Sequence, residues 1–175
     1  AANKTHSHAY PDLCIEIHMP DGRSFDPITG KDWEGVGVAP DIVVETEQAL
    51  DVAHALAIDT LLDGETRADR RFKLDWVRRA MKAAESPPII DEATLQRFVG
   101  TYGPRLISRE GDTLYYQREN RPRFALIPLG DDWFRLEGLD YFRIRFGFDD
   151  QGVVTGLLGV YDDGSESPSE RTGDR

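Results

Sequence analysis

The sequence predicts an α+β protein in which strands and helices of the first half precede a small antiparallel β-barrel or meander. Apolar residues at spacings of three and four predict two helices, over residues 46–64 and 67–85. The prolines Pro87 and Pro88 end the second helix. Beyond them, short alternating segments separated by Gly, Asp and Asn predict consecutive antiparallel strands.

The composition is that of a globular chain and restricts its partners. The chain has 175 residues, of which 39% are hydrophobic and 30% charged, enough for one ordinary domain or two small ones. Its formal net charge is −11, which disfavours nucleic-acid binding because such binding requires a basic surface. No apolar run reaches the roughly 18 residues of a membrane-spanning helix. We therefore predict no nucleic-acid partner and no transmembrane segment.

The only cysteine, Cys14, excludes an internal disulfide and a Cys-rich zinc site. Its apolar neighbours Leu13 and Ile15 favour a small buried residue over a nucleophile. The chain opens on Ala1 without an initiator Met or a signal peptide, which indicates that this is not a natural start.

The first half combines one strand, a long loop and the first helix. Alternating residues predict a strand over 13–19, and dense Pro and Gly predict a loop over 23–40 followed by a short strand over 41–44. Thr46 is the expected N-cap of the first helix, and Gly64 the expected stop. The helix has an apolar stripe formed by Leu50, Ala53, Ala57 and Leu61.

The second helix carries a basic face opposite its apolar stripe. Its residues are Arg70, Arg71, Lys73, Arg78, Arg79 and Lys82. We interpret this face as solvated and balanced by nearby Asp and Glu, with docking of an acidic partner as the alternative.

The second half opens with a short helix over 92–98 and continues as six strands. The strands are predicted over 105–109, 113–118, 124–129, 133–136, 142–148 and 153–161. Closing them into a barrel would remove exposed edges. Nine aromatic residues are expected to fill the barrel core, with lining of a ligand cavity as the alternative: Tyr115, Tyr116, Phe124, Trp133, Phe134, Tyr141, Phe142, Phe146 and Phe148. The last residues lack bulky apolar side chains, which predicts a disordered tail over 165–175.

Histidines and serines give weak signals for chemistry. His6 and His8 share a face of an extended chain, an arrangement that suits a metal ion if a third ligand joins them. No Cys, Asp or Glu neighbour has ligand spacing, so we predict no metal and no cofactor. A hydrolase using Ser7 with His6 or His8 is the weakest interpretation, because Ser7 lacks the tight glycine turn of nucleophilic serines.

The most specific stretch runs from Asp26 to Ile42. It reads Asp-Pro-Ile-Thr-Gly-Lys-Asp-Trp-Glu-Gly-Val-Gly-Val-Ala-Pro-Asp-Ile, a glycine-rich loop with one aromatic anchor, Trp33, and one carboxylate, Glu34. A structural loop pinned by Trp33 accounts for this pattern without any chemistry.

This stretch resembles the end of the catalytic domain of S41 serine peptidases, the tail-specific or C-terminal processing proteases with retinoid-binding-protein-like and tricorn-like members. The family segment is Asn-Pro-x-Thr-Gly-x-x-Trp-Glu-Gly-x-Gly-Val-x-Pro-Asp, followed by the last helix. Here Asp26 stands where Asn is usual, and the remainder fits from Pro27 to Asp41. The resemblance covers residues 1–62.

The resemblance implies a serine endopeptidase whose nucleophile and Lys or His base lie upstream of this chain. For Glu34 the favoured interpretation is a loop anchor held through backbone hydrogen bonds. The alternative, implied by the resemblance to tricorn-like members, is a supporting role in which Glu34 would orient the base. This chain alone is then expected to be inactive. The implied partners are a peptide or protein substrate and either the missing upstream segment or a second copy. The implied location is extracytoplasmic, in the periplasm or cell envelope.

The second half resembles the β-rich modules appended to S41 peptidases and to β-lactamase-like hydrolases. The similarity lies in Phe98-Val99-Gly100-Thr101-Tyr102-Gly103 and in the run from Gly152 to Leu157. The expected organisation is a partial α/β catalytic-domain segment over 1–62, a helical connector over 63–91, an antiparallel β module over 92–164 and the tail. An alternative function is a non-catalytic barrel that recognises a peptide, a lipid or an envelope component.

Overall fold

A computed structural model describes residues 4–22, 25–31 and 37–173. The chain divides into two compact units, of which the first ends at Glu45 and the second begins at Thr46. The architecture is α+β with a closed antiparallel barrel, which confirms the predicted fold class. Within the described ranges, none of the helices combines the length and apolar character that crossing a bilayer requires.

The first unit contains a β-hairpin. Strand β1 (Lys4–Tyr10) pairs antiparallel with β2 (Ile15–Gly22), and a 3-10 turn over Pro11–Leu13 joins them. Cys14 closes the turn in a left-handed conformation (φ 50°), where its amide donates to the carbonyl of Pro11 at 3.1 Å. The predicted strand over 13–19 is confirmed from Ile15 onward.

The hairpin has no second layer among the described residues of its unit. Every described residue up to Glu45 is exposed except Asp26, which is half-buried. Cys14 is therefore exposed, and the prediction of a buried thiol is wrong because nothing in this unit covers it. The predicted strand over 41–44 is also wrong, since these residues form a bend and an irregular segment.

Two helices open the second unit, as predicted. After a 3-10 turn over Thr46–Gln48 come α1 (Ala49–Gly64) and α2 (Ala68–Glu85). Gln48, without a side-chain hydrogen bond, occupies the N-cap position of α1, so the prediction of Thr46 as its N-cap is wrong.

The predicted apolar stripe of α1 is not its packing face. Ile58 is the buried residue of the helix, and half-buried residues share its side: Val52, Ala55 and Leu62. Leu50 and Leu61, from the predicted stripe, are 78% and 58% exposed. The prediction fails because α1 is apolar on more than one face, so periodicity alone does not choose between the faces.

Eight strands form the closed barrel. They are β3 (Gly100–Tyr102), β4 (Arg105–Glu110), β5 (Thr113–Arg118), β6 (Phe124–Gly130), β7 (Trp133–Leu136), β8 (Leu139–Phe148), β9 (Val154–Tyr161) and β10 (Glu166–Gly173). Their order is β10-β3-β4-β5-β6-β7-β8-β9, and every neighbouring pair is antiparallel. The six predicted strands are confirmed, whereas β3 and β10 were not predicted.

Strand β10 corrects the predicted disordered tail. Residues 166–173 pair with both β9 and β3 and so close the barrel. The tail was predicted to be disordered because it lacks bulky apolar residues. Strand β10 is instead held in the barrel by hydrogen bonds. Arg105, which is 1% exposed, donates to the carbonyl and hydroxyl oxygens of Ser167 at 2.9 and 2.8 Å and to the hydroxyl of Ser169.

The described barrel core combines aromatic and aliphatic side chains, and six of its fourteen buried residues are aromatic. Helix α3 (Glu92–Phe98) contributes Leu95 and Phe98, and its N-cap Asp91 accepts a hydrogen bond from the amide of Thr94 at 2.9 Å. Phe98 stacks on Phe146 with ring centroids 4.2 Å apart. The other buried core residues are Tyr102, Ile107, Leu114, Tyr116, Leu126, Phe134, Leu136, Phe142, Ile144, Val154 and Leu157.

Helix α2 covers part of the outer wall of the barrel. It packs on α1 and on β6. On β8, Arg143 points away from the core yet is 5% exposed, because its guanidinium lies 3.8 Å from the ring centroid of Trp76. It also donates to the carbonyl of Trp76 at 2.7 Å. Burial and repulsion from Arg79 and Arg135 lower the pKa of Arg143 to about 10.

Candidate functional site

The loop that carries the peptidase-like motif is organised by Asp26. Its carboxylate accepts hydrogen bonds from the amide of Ile28 at 2.8 Å and from the hydroxyl of Thr29 at 2.7 Å. These two donors hold the pKa of the Asp26 carboxyl below its usual value. The amide of Gly30 donates to the carbonyl of Asp26 at 2.8 Å, and Gly30 adopts φ +67°, which glycine tolerates best.

This turn explains why Asp is compatible with the first motif position. Asn and Asp both carry a side-chain oxygen that can accept from the amide two residues later, and both favour such turns. The amide of Asp26 also donates to the carbonyl of Lys31 at 2.8 Å, which closes the loop on itself. Having Asp26 in place of the motif's Asn is therefore compatible with this turn.

The predicted supporting residue of this site, Glu34, lies outside the described residues, as does the anchor Trp33. The described residues on either side of this gap are Lys31 and Gly37.

On one face of the hairpin, a serine, a histidine and a carboxylate lie close together. The hydroxyl oxygen of Ser7 lies 2.7 Å from Nδ1 of His18, and Nε2 of His18 lies 3.9 Å from Oε1 of Glu16. The predicted partners of Ser7, His6 and His8, lie elsewhere, because adjacent residues of a strand point to opposite faces. All these side chains are exposed to water.

This exposed face is poorly suited to nucleophilic catalysis. Activation of a serine is effective where donors for the oxyanion are preorganised and water is excluded. The side chains of His18 and Glu16 are 60% and 55% exposed, and at 3.9 Å they are too far apart for a hydrogen bond, so the group is a water-exposed surface cluster. A hydrolase built on Ser7 is not supported by this geometry.

The histidines do not form part of a metal-ligand cluster in the described part of the chain. His6 contacts the carboxylate of Asp21 through Nδ1. Over residues 4–22, 25–31 and 37–173, no three His, Cys, Asp or Glu side chains come together in a group that could hold a metal ion.

The basic face of α2 is largely paired with carboxylates, as the interpretation of a balanced face predicts, but Arg78 and Arg79 on it are partly buried rather than fully solvated. Arg78 makes two hydrogen bonds to Asp59 of α1, at 2.6 and 3.0 Å. These bonds lower the pKa of Asp59. Arg79 pairs with Asp131 at 3.0 Å and lies 5.1 Å from the ring centroid of Trp133.

Aromatic side chains fill the barrel interior. Tyr116, Phe134, Phe142 and Phe146 are buried in the core, which confirms the predicted filling for these four. Trp133 alternates with the buried Phe134 and so lies on the outer wall, while Tyr141 is exposed. A ligand cavity inside the barrel, the alternative from the sequence, is not supported by this packing.

The outer wall has a depression across β8, β9 and β10, with a volume of about 740 Å³. Two cross-strand rows form it. Arg145 lies opposite Leu158, which lies opposite Pro168; in the next row Gly147 lies opposite Gly156, which lies opposite Glu170. The depression exists because two facing positions have no side chain. Sequence reasoning missed it, although Gly147 and Gly156 inside predicted strands were a readable signal.

No protein-family model matches this chain, and a comparison with curated proteins finds no match either. A functional assignment must therefore depend on the residues and their geometry.

Proposed function

We propose that this chain is the C-terminal part of an S41-type serine endopeptidase. The nucleophilic serine and its base lie upstream of the sequence given. The serine hydroxyl attacks the peptide carbonyl while the base takes its proton, the amine leaves with that proton, and water hydrolyses the acyl-enzyme. By the same resemblance, the parent enzyme acts outside the cytoplasm on peptides or proteins.

The single observation that carries the proposal is the run from Pro27 to Asp41, with Asp26 forming the turn before it. The hydrogen bonds of Asp26 to Ile28 and Thr29 support it, because they keep the turn at the position where the family motif has Asn.

Two unpaired apolar surfaces are consistent with a larger catalytic domain. The hairpin leaves Ile15, Ile17 and Met19 exposed, and α1 leaves Leu50 and Leu61 exposed. Apolar helices of this kind are commonly buried on both sides, and open strand edges are commonly paired. In our proposal the upstream part of the peptidase covers them; association with a second copy is the alternative.

We assign Glu34 a positioning role in the parent enzyme. A carboxylate in this role orients the base without attacking the substrate. In the intact peptidase, E34Q should lower kcat with little change in KM and should alter the pH profile of kcat. A loop anchor would instead lower stability and leave the pH profile unchanged.

The parent polypeptide can be isolated with antibodies raised against this chain. We expect the isolated protein to hydrolyse unfolded casein and to be labelled by a fluorophosphonate on one serine outside this sequence, with labelling reduced by excess casein. The 175-residue chain alone should show neither activity. Labelling of Ser7, or a parent protein without a labelled serine, would contradict the proposal.

A further inference from the structure

The depression on the outer wall of β8, β9 and β10 has room for a small ligand. Its volume of about 740 Å³ falls within the range of small-molecule pockets, roughly 300–1,000 Å³. All of its lining residues lie within the second compact unit.

Two charged side chains, Arg145 and Glu170, stand at opposite corners of this depression without a hydrogen bond or an ion pair to any described residue. The guanidinium of Arg145 is exposed beside the ring of Trp133, at 5.9 Å from its centroid. The carboxylate of Glu170 is exposed on β10. In the described part of the chain, neither side chain makes a hydrogen bond or an ion pair. One cation and one anion are therefore free to bind complementary groups.

Between Arg145 and Glu170 the surface consists of apolar side chains and of glycines, which have no side chain. Leu158 and Pro168 continue the row that begins at Arg145, and Gly147 and Gly156 leave the next row without side chains. A Cβ atom at Gly147 would have its nearest neighbours at 3.9 Å, so the space above this residue is open. An apolar side chain of a ligand can lie there.

The spacing of the two charges fits a short peptide. Arg145 and Glu170 lie two strands apart and, because they belong to neighbouring rows, also two residues apart along the strands. At roughly 4.8 Å per strand and 3.4 Å per residue, their backbone positions are about 12 Å apart, a distance that their long side chains can shorten. An extended peptide advances about 3.4 Å per residue, so a tripeptide has its two termini about 10 Å apart. Strand addition is excluded as a binding mode here because the barrel is closed and offers no edge.

We propose that this depression binds a short zwitterionic peptide of about three residues. The α-carboxylate pairs with Arg145, the α-ammonium pairs with Glu170, and the middle side chain packs over Leu158 and the two glycines. The inference does not depend on the chain belonging to a peptidase, and it concerns binding only.

Two other charged residues line the depression and are not assigned to the ligand. Arg171 directs its guanidinium at main-chain carbonyls, including those of Arg97 at 3.1 Å and Val99 at 2.9 Å. Asp132 stands on the turn before β7, on the Arg145 side of the depression rather than the Glu170 side.

The test uses calorimetric titration of the full chain with the tripeptide Ala-Leu-Ala. We expect saturable binding, weakened about threefold by R145Q and by E170Q, the size of effect expected from one exposed ion pair. The matched controls are R135Q, on the neighbouring strand outside the depression, and E166Q, on β10 outside the depression, and neither should change the affinity measurably. G147V should abolish binding because its side chain occupies the open space.

Modified peptides distinguish the two ends of the ligand. The N-acetyl peptide should bind the wild-type chain about as weakly as the free peptide binds E170Q, and E170Q should weaken it no further. Likewise, the peptide with a C-terminal amide should bind the wild-type chain about as weakly as the free peptide binds R145Q, and R145Q should not weaken its binding further. The proposal is wrong if Ala-Leu-Ala does not bind to folded protein, or if R135Q and E166Q weaken binding as much as R145Q and E170Q.

Discussion

The Nη2 atom of Arg105 donates a hydrogen bond to the hydroxyl oxygen of Ser167 at 2.8 Å, and this contact ties β4 to the last strand of the barrel. Arg105 is buried, and its Nη1 atom also bonds the carbonyl of Ser167 and the hydroxyl of Ser169. A buried cation replaces the apolar side chains that β10 lacks. Polar contacts of Arg105 therefore hold β10 in the closed barrel, while aromatic side chains pack in its core.

Replacing Arg105 should loosen this closure. R105M leaves the oxygens of Ser167 and Ser169 without a donor, at about 1–3 kcal/mol for each buried group that water cannot reach. We expect the free energy of unfolding to fall by about 2–4 kcal/mol in urea titrations. R118M, at the exposed position opposite Arg105, should change it by less than about 0.5 kcal/mol. If R105M and R118M have the same free energy of unfolding, the contacts of Arg105 do not stabilise the closed barrel.

Removal of β10 should open the barrel. A chain that ends at Gly164 exposes the edges of β3 and β9, whose ladders with β10 are lost. Amide hydrogen exchange should then become faster in both strands than in β5, which is distant from β10 in the sheet order. Unchanged protection of β3 and β9 would support the disordered tail that the sequence predicts.

The packing face of α1 can be tested with two neighbouring residues. Ile58 is 4% exposed, so I58A should lower the free energy of unfolding by about 2–4 kcal/mol. L61A, on the exposed face, should have an effect below about 0.5 kcal/mol in this chain. A larger loss for L61A than for I58A would restore the predicted stripe as the packing face.

The pairing of α1 with α2 should depend on pH through Asp59. The hydrogen bonds from Arg78 hold the pKa of Asp59 below its ordinary value of 3.8. A carboxyl with a lowered folded-state pKa stabilises the fold above its unfolded pKa, and this contribution disappears as the pH falls through the folded value. Carbon-13 NMR should give an Asp59 midpoint below 3.8 that rises in R78Q.

The capping carboxyl of Asp91 is the internal control for this titration. Its pKa is lowered by the amide and hydroxyl of Thr94 and not by Arg78. Its midpoint should therefore be the same in R78Q as in the wild-type chain. An Asp59 midpoint that also stays unchanged would mean that the Arg78 pair does not form in solution.

Local patterns in the sequence were sufficient for the helices and for six barrel strands. Turn residues at regular intervals mark the ends of these strands, and the alternation of apolar and polar residues indicates which side chains face the core. The sequence could not reveal β10, because its stability depends on Arg105, about 60 residues earlier in the chain. Such a long-range polar contact leaves no periodic signal.

The two candidate sites also differ in whether local sequence patterns could predict them. Asp26 lies in a run whose turn chemistry is local, so its loop was readable from the sequence. The depression needs the register of three strands, which brings Gly147 opposite Gly156 and places Arg145 and Glu170 two strands apart. Strand register is a tertiary property, and the sequence did not predict it.

The most direct test of the central claim is the denaturing intact mass of the polypeptide that antibodies against this chain isolate from the cells that make it. Our account predicts a species larger than 19.7 kDa that contains this sequence, or a second polypeptide held beside the 19.7 kDa chain, with the reactive serine outside residues 1–175. Recovery of the 19.7 kDa chain alone, without a labelled serine, would contradict the assignment to a serine peptidase.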